Sequence, residues 1–201
     1  MRLQIGAGNR LLDGFTNTDI DNDKVQYGDA KDLFFVLDDT VEIIFTNAVF
    51  EHFFPQDHQA ILSEWRKKLT DDGFIMCLGI PDYVMISVLY LSSVDNFQLD
   101  EVAKYLQGEI SYEAPAVSQF HKALFDIRTL QTIFEEANFN VSVFRYIYPN
   151  EIHSVNLGVI ASKSEIDVLD CFSKIPTIND YIVIDSITEM SSNEIRNNPP
   201  G

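Results

Sequence analysis

The chain has 201 residues, 46% of them hydrophobic and 22% charged, with 31 acids against 14 Lys and Arg and a formal net charge of −17. A folded chain of this length hides roughly 70% of the surface its unfolded form exposes, so one domain with a sizeable core is expected and disorder of the whole chain is excluded. The acid excess repels phosphate backbones and anionic headgroups, because counterion release needs clustered Lys and Arg; neither nucleic acid nor a membrane is an expected partner. Cys77 and Cys171 lie far apart, with Cys77 inside the apolar run 74–80, which argues against a disulfide framework or a zinc cluster. The apolar stretch over 1–6 is too short for a signal peptide, and no run reaches the roughly 18 apolar residues of a membrane span, so a cytoplasmic location is expected.

Short apolar strands alternate with helical segments, the pattern of an α/β sheet with helices on its faces. The first strand, over 3–5, runs into Gly6-Ala7-Gly8-Asn9, where two glycines permit a tight turn and a close backbone approach to a ligand. Leu11-Leu12-Asp13-Gly14 follows as a short connection. Leu11 stands where a dinucleotide fingerprint has its third glycine, and no helix is expected there to carry a pyrophosphate. A weaker strand over 15–20 ends near Asp19 and Asp21, either of which is placed to accept ribose hydroxyls; acids after a strand are also ordinary turn residues. Gly28-Asp29-Ala30 precedes a strand over 41–45, which leads to Asn47 and Glu51-His52-Phe53. Residues 56–69 read as a helix because Ile61, Leu62, Trp65 and Leu69 recur at three and four, and Asp71-Asp72-Gly73 is expected to stop it. A strand over 74–78 passes through Pro81-Asp82 into an insertion, about 83–125, that suits either a substrate wall or an extra packing helix. A helix over 127–137 ends at Asn138, and strands over 141–146 and 154–161 follow. Residues 164–201 read as an acidic extension, frayed over 197–201, in which 181–184 is a further strand or a docking segment.

Order and spacing carry a resemblance. Gly6-Ala7-Gly8 after the first strand, Asp19 to Asp21 after the second, Gly28-Asp29-Ala30 with Asp32-Leu33, Glu51-His52-Phe53, Leu69-Thr70-Asp71-Asp72-Gly73 before an apolar strand ending in Pro81-Asp82, and Ala137-Asn138-Phe139 resemble the class I S-adenosylmethionine-dependent methyltransferases. More narrowly, Leu12, Gly14-Phe15, Asn17 and Asp19, then His121-Lys122 with Phe125 and Ile152-His153-Ser154-Val155-Asn156-Leu157, resemble short bacterial members associated with surface-glycan synthesis. The resemblance covers 2–163, making 1–163 a methyltransferase-like domain. It implies a Rossmann-like seven-stranded mixed sheet with helices on both faces and one antiparallel strand, 154–161, near the C-terminus. It implies S-adenosyl-L-methionine as cofactor, with Gly6, Ala7 and Gly8 beside the methionine part, Asp19 or Asp21 on the ribose, Asp29 and Ala30 near the adenine, and Asn47 on the methyl-donor side. Gln4 stands where such enzymes often carry an acid near the cofactor's amino group. The implied activity is methyl transfer to a small-molecule or carbohydrate-like acceptor. A non-catalytic nucleoside-binding module is the alternative, and a nicotinamide-dependent oxidoreductase is disfavoured by Leu11 and the missing phosphate helix.

An acceptor hydroxyl or ammonium needs a base, and His52, Asp82 and His121 are the candidates at the carboxyl ends of the expected strands. Each also has a structural reading: a helix-terminal histidine, a turn or capping acid after Pro81, and a histidine before an apolar run. No metal site is expected. His52, His58, His121 and Asp82 carry suitable atoms, but no helical His pair brackets a Glu, and Pro55 separates His52 from His58. Tyr83 and Tyr90, with Phe53-Phe54, suit either an acceptor wall or the core.

Overall fold

The computed structural model describes residues 1–92, 103, 105, 107–108, 120–149, 155–182 and 188–189, the last pair by backbone alone. Its strands are β1 Arg2–Ile5, β2 Thr16–Asp19, β3 Gln26–Tyr27, β4 Val41–Asn47, β5 Leu69–Pro81, β6 Asn140–Ile147, β7 Val155–Ser162 and β8 Thr188–Glu189. They form one sheet in the order β3-β2-β1-β4-β5-β7-β6-β8. Strands β1 to β5 are parallel, whereas β7 runs antiparallel to both β5 and β6. This is the expected seven-stranded mixed sheet, extended by the short β8 antiparallel to β6. The chain moves outward from β1 to β2 and β3, then returns to β4 on the other side of β1. That reversal opens a crevice at the carboxyl ends of β1 and β4, where open α/β sheets bind their ligands.

The helices are α1 His58–Lys68, α2 Tyr83–Ser92, α3 Ile127–Glu136 and α4 Val168–Ser173. One face of the sheet is covered by Ile61, Leu62 and Trp65 of α1 and by Ile127, Leu130 and Phe134 of α3, all buried against Ile44, Ile75 and Val159. Local chemistry sets the ends of α3. The Asp126 side chain accepts from the Thr129 N–H at 2.7 Å at its start, and Asn138 turns left-handed at φ 63° just past its end. One local expectation is corrected: α1 ends at Lys68, with Leu69 already extended, and Asp71-Asp72-Gly73 does not stop it. Those residues lie inside β5, where the register against β4 jumps from Val41↔Leu69 to Ile43↔Phe74, and the bulge absorbs the extra chain.

The other face is covered differently. No helix forms between β1 and β2; Leu12 and Phe15 of their connection pack on Phe45 and Met76, together with Cys171, Phe172, Ile175, Ile178, Tyr181 and Ile182. Phe172 meets Phe144 edge-on at 5.4 Å, and Tyr181 meets Phe45 at 5.3 Å. Thus α4 and the segment after it do the covering that a helix after β1 would otherwise do. The expected fraying over 197–201 and the distal half of 181–184 lie outside the described residues. Of the insertion, α2 and a bridge from Asp82 to Phe125 are described, and most of 93–119 lies outside. Within α2 only Ile86 is buried. Both cysteines are free and buried, and burial pushes the Cys77 thiol up to about 12. Among the described residues no helix is long and apolar enough to cross a membrane.

Candidate functional site

The loop after β1 is shaped by two left-handed glycines, Gly6 at φ +66° and Gly8 at φ +51°. A Cβ on Gly6 would lie 2.4 Å from Val49 Cγ2, so this turn interlocks with the loop after β4 and any side chain at position 6 strains the fold. Gly8 has open space around it and is the better position for probing the loop. Asp19 ties this loop to its own. Its Oδ2 accepts from the Gly8 N–H at 2.8 Å, and its Oδ1 accepts from the N–H groups of Asp21 at 2.7 Å and Asn22 at 3.2 Å. A carboxylate has about four lone-pair sites, so Asp19 keeps capacity for one further donor, such as a single hydroxyl. Gln4, the departure noted in the sequence, is buried and spent on the helix-less connection. Its Nε2 donates to the Arg10 carbonyl at 2.8 Å and its Oε1 accepts from the Leu12 N–H at 3.0 Å. Asn17 adds a second clamp on Leu12.

At the end of β4, Asn47 is fixed by a relay of hydroxyls. The Gly79 N–H donates to Tyr146 Oη at 2.6 Å, Tyr146 hydrogen-bonds to Tyr148, and the Tyr148 hydroxyl donates to Asn47 Oδ1. The relay commits the Asn47 oxygen and leaves its amide N–H groups for other partners. Burial pushes both tyrosine hydroxyls up, so they stay protonated and the relay keeps its direction.

These loops enclose a cleft of about 650 Å³, within the usual range of small-molecule sites. Every cofactor candidate lines it: Gly6, Ala7, Gly8, Asp19, Asp21, Asp29, Ala30 and Asn47, with His52 of the base candidates. Arg10, Lys31, Lys122, Phe53 and Tyr181 line it too. Asp19, Asp21 and Asp29 share the walls of the cleft with Arg10, Lys31 and Lys122, and Asp32 is not among the lining residues. A ligand carrying charges of both signs suits this lining. Tyr181, from the acidic extension, lies 5.8 Å under the Arg10 guanidinium. The sequence marks 181–184 only as a strand or docking segment; Tyr181 reaches the cleft because the extension covers the adjoining face of the sheet.

The base candidates separate. Asp82 is fully buried; its Oδ2 accepts from Arg145 Nε at 2.6 Å and its Oδ1 from the Val84 and Met85 N–H groups at the start of α2. It does not line the cleft, so its placement is that of a capping and pairing acid and not of a base facing ligand. Tyr83 and Tyr90 are exposed and do not line the cleft either. His52 and His121 instead face each other with ring centroids 5.1 Å apart. The short 3-10 turn Phe50–His52 carries one, and the other is delivered by a chain segment that the Glu51 carbonyl anchors through the Lys122 N–H at 2.9 Å. Behind them lies Glu51, 1% exposed, with Oε1 at 3.8 Å from His52 Nε2 and 4.0 Å from His121 Nε2. Burial drives the Glu51 carboxyl up to about 8. Burial also lowers His52, and burial with the neighbouring His52 takes His121 down to about 4. Near neutral pH the carboxyl is therefore protonated and both rings are neutral, so these contacts are not ion pairs.

No family model matches the chain, and no curated protein matches it. Solved structures do. A S-adenosylmethionine-dependent methyltransferase from Methanosarcina mazei superposes with a TM-score of 0.55 at 13% identity, covering 82% of this chain and 92% of that one. One from Archaeoglobus fulgidus gives 0.52 at 15% identity, covering 80% and 84%. A Thermotoga maritima protein described as a possible histamine N-methyltransferase gives 0.51 at 12% identity, covering 81% of each chain. The fold is that of the class I S-adenosylmethionine-dependent methyltransferases. In a methyltransferase fold the cleft found here, at the carboxyl ends of β1, β2 and β4, sits where such sheets bind ligands.

Proposed function

We propose that the protein is a cytoplasmic S-adenosylmethionine-dependent methyltransferase acting on a small-molecule or carbohydrate-like acceptor. The observation that carries the reading is the convergence of all the cofactor candidates on one cleft at the switch point of a methyltransferase fold. The residues fit the cofactor's parts. Gly6 to Gly8 present backbone without a Cβ beside the methionine part, and Arg10 offers a guanidinium to its carboxylate. Asp19 takes one ribose hydroxyl with its remaining lone pair, and the exposed Asp21 is placed for the other. Asp29 and Ala30 edge the adenine, and the Asn47 amide, oriented by Tyr148, faces the donor side. The bound cofactor supplies an electrophilic methyl group whose carbon–sulfur bonding pair stays on sulfur when the acceptor attacks. What the chain adds is alignment, together with a group to take the acceptor's proton. His52, neutral and on the cleft wall, is that group, with His121 behind it. No helix follows the glycine loop to hold a pyrophosphate, which disfavours a nicotinamide dinucleotide.

The test is transfer of label from methyl-labelled S-adenosylmethionine to a panel of sugars, hydroxy acids and small amines, histamine among them. Label in at least one acceptor, lost in His52→Ala, is the expected result. S-adenosylhomocysteine binding with no transfer across a broad panel would favour the non-catalytic module.

A further inference from the structure

The geometry points to a divalent transition-metal site formed by Glu51, His52 and His121 beside the cofactor cleft. One nitrogen from each ring and one Glu51 oxygen lie within 4.8 Å of one another. Two imidazoles and one carboxylate make a donor set suited to zinc, cobalt or iron(II) and leave at least one position open for water or an acceptor oxygen. The rings are pre-oriented as ligands. A carbonyl only accepts, so His52 Nδ1, 3.1 Å from the Phe120 oxygen, carries the proton and leaves the Nε2 lone pair on the Glu51 side. His121 is likewise held by the backbone of Tyr105.

The second, independent observation is an orphan. Glu51 Oε2 is buried with no hydrogen-bond partner. An unpaired buried carboxyl oxygen is costly. A cation held by both carboxylate oxygens, Oε1 on the histidine side and Oε2 beside it, would satisfy it. Bonds of about 2.0–2.1 Å to a tetrahedral ion put ligand atoms about 3.4 Å apart, so the three side chains need to close by roughly 0.4 to 1.4 Å. Binding the ion releases the Glu51 carboxyl proton to solvent, and the His52 lone pair that serves as base in the metal-free protein is then used as a ligand. The site does not depend on the methyltransferase reading, and its test reads it separately.

Full-length protein stripped with a chelator is titrated with Co²⁺ in the absence of nucleoside and followed by visible absorption. One Co²⁺ per chain is expected, with bands of the intensity of four- or five-coordinate cobalt that Zn²⁺ abolishes by displacement. Glu51→Gln and His121→Ala should each weaken binding at least about tenfold. Glu51→Gln is nearly isosteric and removes a buried acid, so it is expected to fold, and circular dichroism checks it. No bands at millimolar Co²⁺, or affinity unchanged in both variants, would overturn the proposal. S-adenosylhomocysteine titrated into the same samples separates a failure of the metal site from a failure of the nucleoside cleft.

Discussion

A chain ending at Lys163 is expected to be recovered as aggregate or as a molten species, not as a folded domain. The acids after Glu165 suggest a solvated tail, but they alternate with Cys171, Phe172, Ile175, Ile178, Tyr181 and Ile182, which cover Phe45, Met76, Leu78, Phe144 and Ile160. Burying one such side chain stabilises by about 1.5–3 kcal/mol, so losing the segment removes roughly 10 kcal/mol, comparable to the entire stability of a typical domain. The exposed face would be an apolar sheet surface of the kind that associates. Soluble yield, near-UV circular dichroism and dye binding read the outcome. The single substitution Phe172→Ala, at about 3–4 kcal/mol, is the graded version of the same test. A truncated chain that is soluble, monomeric and cooperatively unfolding would refute this account of the second face.

Asp82→Ala is expected to be the most damaging substitution of a single polar residue. Asp82 is fully buried while its partner Arg145 is 29% exposed and can be partly rehydrated, so losing the pair together with the cap on Val84 and Met85 is expected to cost about 3 kcal/mol. For a domain of this size that corresponds to a fall of about 10 °C in the melting temperature. Asp82→Asn keeps a capping oxygen and loses the charge, so its fall should be smaller. Below the melting transition, S-adenosylhomocysteine affinity should equal that of the unsubstituted protein. A variant of unchanged melting temperature that had lost turnover would restore Asp82 to the role of base.

The physical reasons for what was legible in the sequence differ from one residue to the next. The buried strands announce themselves as apolar runs, and Gly6 and Gly8 announce a left-handed turn because few other residues tolerate one. Asp19 and Asp21 follow from their place at a strand end. Long-range partnership was not legible. Glu51 and His121 meet only because the Glu51 carbonyl captures the chain at Lys122, and local spacing, including the argument from Pro55, does not bear on that. Gln4 stands out as a departure, yet its actual work, bracing Arg10 and Leu12, depends on the absence of a helix after β1. The net charge said little about the cleft, because Arg10, Lys31 and Lys122 are a minority of the chain's charges and yet line it beside Asp19, Asp21 and Asp29. Tyr181 shows the same limit, since a residue of the acidic extension becomes both core and cleft once the extension folds back.

The central claim, that the cleft between the ends of β1, β2 and β4 binds the nucleoside of S-adenosylmethionine, is tested most directly by calorimetric titration with S-adenosylhomocysteine. One site per chain is predicted. Gly8→Ala, which adds a methyl group at a left-handed position on the cleft wall, should bind at least about tenfold more weakly while remaining folded, equivalent to about 1.4 kcal/mol. No heat at millimolar ligand, or an affinity indifferent to Gly8→Ala, would contradict it.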